Sequence, residues 1–255
     1  MGLIPDNLMP SPEEARRIIE DLLKGTPEPA KDSVIATSYK DIMFESVAYR
    51  DPGVMNKALF SFDASLVRLK QAGFERHARP QEVFGLIVDG LEGKLAGGFK
   101  GVYDDMLLSY GEWLSLAVKR EGDVLVAYVD PKNLVFDKGS NNYIVCGGQV
   151  DCVGKETFSI KGKQSETWID LKQFEDKFVK FMYSRSFNQL PEIMREGNLR
   201  ARVYLPSEGV VRPVARGFFN GRFNVGSYYY SNGASRGTSL VAQKISIGQY
   251  EGGFF

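Results

Sequence analysis

Residues 112–131, EWLSLAVKREGDVLVAYVDP, decide the kind of fold this chain takes. Leu114, Leu116 and Val118 alternate along the first half with the two-residue period of a strand. A Glu121-Gly122-Asp123 turn follows, and Val124 to Val129 is apolar on both faces. Two such runs across so short a turn form an antiparallel hairpin, and a strand apolar on both faces belongs inside a sheet.

Working outward, residues 133–146 (NLVFDKGSNNYIVC) and 149–163 (QVDCVGKETFSIKGK) read as two further hairpins. The upstream sequence is helical. Ser11, Pro12 and Glu14 open a capped helix with Ala15, Ile18, Ile19, Leu22 and Leu23 on one stripe and Gly25 as its stop. A short strand is predicted over 33–39. Asp63 caps a helix running to Gly73, and Pro80 starts another whose stripe is Val83, Phe84, Ile87, Val88 and Leu91, ended by Gly93. Val102, Tyr103, Met106, Leu107 and Tyr110 make one more stripe. Downstream, residues 170–185 return to helix, with Leu171, Phe174, Phe178, Phe181 and Met182 inward, and residues 191–197 hold a short helical turn. Three strands follow, over 199–206, 210–217 and 221–231, the first two paired through the LPSEG turn at 205–209.

This order predicts an α+β fold. Its mainly antiparallel sheet is built from several hairpins, with amphipathic helices concentrated in the first half and one helix near 170–185. The period changes at residue 112, which divides the chain into a helix-rich part, 1–111, and a β part, 112–255, that together can form a single domain.

Of 255 residues, 43% are hydrophobic and 12% aromatic, enough for a sizeable core. Lys+Arg and Asp+Glu number 32 each, which excludes a wholesale nucleic-acid packer. The charge is nevertheless sorted. From Gly197 onward six Arg and one Lys stand against two Glu, a net of +5, so residues 1–196 carry −5. The amino-terminal sequence has no basic, apolar or small-residue signal pattern, no apolar run is long enough to span a bilayer, and no Asn-x-Ser/Thr sequon occurs. With only two cysteines, Cys146 and Cys152, the expectation is a soluble cytoplasmic protein without a membrane partner.

Most familiar chemistries fail on spacing. Residues 233–237, GASRG, match a nucleophile elbow, but neither His nor Asp follows Ser235. In GGQVDCVGKE, 147–156, the glycines are misplaced for a phosphate loop and Glu156 replaces the magnesium-binding hydroxyl residue. The two cysteines are six apart and read as small core residues. The one histidine, His77, reads as a surface or helix-capping residue in a loop. No metal site and no cofactor is expected. One enzymatic reading survives, a metal-dependent nuclease or phosphodiesterase. Asp104, Asp105, Asp123 and Asp130 would hold a hard cation, and Lys132 would polarise the phosphate.

The leading expectation comes from residues 212–237, RPVARGFFNGRFNVGSYYYSNGASRG, where arginines and aromatic rings interleave without a carboxylate. Strand alternation places Arg200, Arg202 and Tyr204 on one face, and pairing with residues 210–217 adds Arg212 and Arg216. On the third strand Arg222, Tyr228 and Tyr230 share the outer face. Guanidinium groups and rings suit single-stranded nucleic acid, and the same residue types dominate protein–protein hot spots. The function expected is therefore non-enzymatic binding or assembly, with another protein, a second copy of the chain, or single-stranded DNA or RNA as partner. The terminal QYEGGFF is expected to dock in a groove.

Overall fold

A computed structural model describes residues 36–39, 42–45, 61–95, 99–107, 111–161, 168–196, 201–219, 222–227 and 237–240. The expected helix at 11–25 and the terminal residues 249–255 lie outside these. The fold is α+β, with five α-helices among the described residues and a large, mostly antiparallel sheet.

The hairpin at 112–131 forms as its pattern dictates. β4 (Gly111–Glu121) pairs antiparallel with β5 (Val124–Val129), and Glu121 lies opposite Val124. The two-residue connection opens with Gly122 at φ 61°, where a glycine costs no Cβ strain. The 133–146 hairpin also forms, as β6 (Leu134–Asp137) and β7 (Asn142–Val145).

Residues 149–163 do not make a hairpin. They contribute one strand, β8 (Gly154–Ser159), which pairs with the whole length of β5. The preceding loop is tied down by Asn133, whose amide donates to the carbonyls of Cys146 and Gln149 and accepts from the Asp151 N–H at 2.8 Å. That leaves β8 to satisfy the outer edge of β5.

The remaining strands are β9 (Trp168–Asp170), β10 (Arg202–Tyr204), β11 (Val211–Phe219) and β12 (Arg222–Ser227). The seven-stranded order is β8-β5-β4-β11-β12-β10-β9, and β10 against β12 is its one parallel pair. The expected pairing of β10 with β11 is thus replaced. β11 pairs with β12, Phe219 lying opposite Arg222. The 205–209 segment instead crosses to the β4–β5 turn, where Glu208 accepts from the Gly122 N–H at 2.8 Å and Gly209 donates to Arg120 at 2.9 Å. A smaller sheet orders β1 (Ala36–Tyr39), β2 (Ile42–Glu45), β13 (Gly237–Leu240) and β3 (Arg76–His77).

Helices α1 (Phe62–Gln71), α2 (Pro80–Leu91), α3 (Lys100–Met106), α4 (Asp176–Tyr183) and α5 (Glu192–Arg195) complete the described chain. The N-cap of α1 is Ser61, not Asp63, because the Ser61 hydroxyl accepts from the Ala64 N–H. In 170–185 a 3-10 turn over Leu171–Gln173 precedes α4, which ends at Ser184 with φ 58°.

β4 is buried along nearly its whole length because both faces of the sheet are covered. Leu114, Leu116 and Val118 pack with Val83, Phe84 and Ile87 of α2 and Phe178 and Met182 of α4 in one cluster. Trp113 and Ala117, on the opposite face, pack with Phe62 of α1 and Leu134 and Tyr143 of the β6–β7 hairpin. Each of the Val, Leu, Ile, Phe and Met side chains contributes about 1.5–3 kcal/mol on full burial. Between Pro213 and Ala215 the β4–β11 register shifts. Pro213 has no N–H to give to a ladder, and Ser115 bonds elsewhere, donating to Ala78 at 2.8 Å and accepting from Asp130 at 3.1 Å.

Candidate interaction surface

The parallel β10–β12 pairing assembles a surface from residues that the sequence separates. Ile169 of β9 and Val203 of β10 are buried in the larger cluster, so their neighbours Trp168, Asp170, Arg202 and Tyr204 occupy the opposite face. Register then sets Arg202 between Asp170 and Asn224, and Tyr204 between Trp168 and Gly226. Beyond them, Gly217 lies opposite Asn224 and Ala215 opposite Gly226. Rings and a guanidinium at the sheet edge therefore adjoin a stretch of small residues.

At that edge Trp168 is 39% exposed, among the most exposed large apolar side chains described. Its ring lies 5.1 Å from that of Tyr204 at an interplanar angle of 57°. Arg202 Nε donates to Asp170 Oδ1 at 3.1 Å, and both side chains remain partly accessible. Arg202 is thus tied to the neighbouring strand beside Tyr204. The outer backbone of β9 is less available, because the Asp170 N–H is capped by Gln173 Oε1 at 3.0 Å.

The sequence places Arg202 and Tyr204 on this surface, but it does not identify Trp168 or Asp170. Their signal is the same two-residue alternation, hidden in a three-residue strand. Arg212 and Arg216 do not join it. Both alternate with Ala215 and share the side of Val214, which faces the opposite cluster. Arg216 is buried against Glu112, with Nε–Oε2 at 3.0 Å and the second contact at 2.6 Å, and it also donates to the Met106 carbonyl. A four-arginine ribbon is therefore absent, because β12 stands between β10 and β11 and reverses which residues align. The backbone of Arg222 lies in β12, two residues before Asn224; Arg200, Tyr228 and Tyr230 lie outside the described residues.

The acids of the nuclease reading are not gathered. Asp104 and Asp105 sit on α3, Asp123 at the β4–β5 turn, and Asp130 after β5 at φ 51°. The Asp130 carboxylate is engaged by Arg79 through Nε at 3.2 Å to each oxygen and through a second, shorter contact. Burial raises its pKa, but hydrogen bonds from Arg79 and Ser115 outweigh that and leave it below the ordinary carboxylate value. Lys132 follows Pro131, and its backbone N–H donates to Asp151. Among the described residues no three His, Cys, Asp or Glu side chains stand close enough to hold a metal ion.

His77 is not at the surface. It is 0% exposed in β3, with Nε2 2.5 Å from the Ser65 hydroxyl and its ring 4.8 Å from that of Phe62. Burial, assisted by the Arg68 charge, lowers its pKa to about 3. A serine bonded to a histidine resembles a nucleophile and its base, but Ser65, like His77, is 0% exposed. Cys146 and Cys152 are half-buried free thiols.

Compared with protein-family models, curated proteins and solved structures, the chain matches none. Among the described residues no helix is long and apolar enough to cross a membrane.

Proposed function

We propose that this protein works by binding rather than by catalysis, and that it meets its partner through Trp168, Tyr204 and the Arg202–Asp170 pair at the edge of the large sheet. The observation that carries the reading is the half-open Trp168 ring in contact with Tyr204. Tryptophan, tyrosine and arginine are the residue types that concentrate binding energy in protein interfaces. The occupied Asp170 N–H disfavours strand addition at this edge, so the partner engages side chains.

The partner class favoured is another protein. A single strand of nucleic acid wants uncompensated cations along its phosphates. Here the Arg202 charge is met by Asp170 and the Arg216 charge by Glu112. Paired guanidinium groups flanked by rings fit a mixed polar and aromatic protein surface better.

A photo-crosslinking side chain at position 168, compared with one at the exposed but isolated Val153, tests this in cells. The expectation is a discrete adduct from position 168 alone, lost when Tyr204→Ala is added. An adduct at twice the chain's mass identifies a second copy as the partner. Equal patterns from both positions defeat the reading. Anisotropy titration with labelled single-stranded DNA and RNA covers the nucleic-acid reading, where affinity falling steeply with salt would replace the protein partner.

A further inference from the structure

We propose that His77 and Ser65 form an acid-sensitive latch that holds α1 over the large sheet and releases it when the imidazole takes up a proton. The inference is independent of the binding surface, which lies on other strands.

The attachments of the latch include several on the first turn and a half of α1. The Phe62 N–H donates to the Tyr143 hydroxyl at 2.9 Å, the Phe62 ring meets Trp113 edge-on at 5.9 Å, and Ser65 bonds His77. The hydroxyl can accept from an imidazolium as readily as it donates to an imidazole. The hydrogen bond itself therefore tolerates either state. What opposes the proton is location: a cation would sit at 0% exposure beneath α1, on the same side as the buried Arg68. Lifting α1 relieves both penalties at once, giving the ring water and carrying the Arg68 charge away.

Among the described residues, the other charges facing the ring do not remove the cost of burying the cation. Asp130 attracts an imidazolium, but its carboxylate is already bound by Arg79. Arg76, on β3 itself, is engaged by both oxygens of Glu82 at 2.8 and 2.6 Å. The adjoining β13 carries no titratable side chain, and Trp113 and Ser115 of β4 are neutral. Asp63, also on α1, lies against the β6–β7 hairpin; burial raises its pKa, so its proton uptake favours the docked helix and opposes release. Tyr143 is pushed up by burial and stays neutral throughout.

The sign follows from the two proton affinities. The ring takes a proton near 6.5 when exposed and only at about 3 in place, so docking is fully supported above pH 6.5 and weakens as pH falls towards 3. His77's contribution to the equilibrium for opening rises about tenfold per pH unit below 6.5, or roughly 100-fold by about pH 4.5, and Asp63 offsets part of it at the acid end.

Because the chain has one histidine, its imidazole resonance is unambiguous. Native-state hydrogen exchange of the full chain from pH 8 to 4.5, corrected for intrinsic rates, is expected to show α1 amides losing up to roughly 100-fold protection while α2 amides keep theirs. Any imidazolium signal over this range should belong to the population whose α1 has opened, because the docked ring takes its proton only at about 3. His77→Gln keeps a hydrogen-bonding partner for Ser65 without the titration, and its α1 should stay protected at acid pH. An imidazolium signal with α1 still protected overturns the latch, as does equal loss in α1 and α2 or an unchanged acid transition in His77→Gln. If that variant fails to fold, the wild-type coincidence of ring protonation and α1 exchange decides the matter alone.

Discussion

Arg216 occupies an inward-facing strand position where an aliphatic residue would ordinarily sit, and Glu112 makes that tolerable. Both are 1% exposed, so each is the other's replacement for water. Arg216→Ala strands a buried carboxylate and is expected to cost about 3–5 kcal/mol, read as a fall in urea midpoint at unchanged m-value. Replacing both, Arg216→Met with Glu112→Leu, should recover most of that loss, since neither member of the pair is left without the other. Sequence reasoning put Arg216 on a solvent face because arginine is rarely buried unless paired, and its partner stands 104 residues away. His77 was misplaced for the same reason. Nothing local in FERHARP announces that a serine twelve positions earlier will face it. Arg202 was legible because its strand alternates and its position at the sheet edge leaves the side chain partly open.

Elements whose pairing is local were legible and those whose pairing is remote were not. The β4–β5 and β6–β7 hairpins and helix α2 each follow from contiguous residues: a turn signal between apolar runs, or a stripe begun by Pro80. The β10–β11 pairing failed because a five-residue link looked sufficient, while β11 pairs with the strand that follows it closely in sequence and that strand then takes β10. The division of 170–185 failed because Phe174 keeps the helical stripe although its backbone is extended. Gly122 tests the strongest of these elements. At φ 61° and with open space where a Cβ would go, Gly122→Ala meets backbone strain alone. The expected loss is about 1–3 kcal/mol, measurable by thermal unfolding, and Gly122→Asn should lose less because asparagine tolerates positive φ better.

At the scale of the molecule, β4 is the member on which the rest depends, since it is covered on both faces and flanked on both edges. The larger cluster joins Phe84 and Val88 to Leu114, Phe178 and Val214, residues from both sides of position 112. A fragment of residues 112–255 therefore leaves Leu114, Leu116 and Val118 without α2, and it is expected to show no cooperative thermal transition and to bind a hydrophobic dye. The charge sorting visible in the sequence is answered in the same way: Arg202 and Arg216 of the basic region meet Asp170 and Glu112 of the acidic one. The β4–β11 seam carries a further consequence for the newborn chain. β5 emerges from the ribosome directly after β4, but Ala215, the register partner of Trp113, follows about 100 residues later, roughly 5–20 s at ordinary rates of translation. Throughout that interval one long edge of this central, buried strand waits without its neighbour, so the nascent protein presents its chaperones with a half-built sheet rather than an unfolded coil.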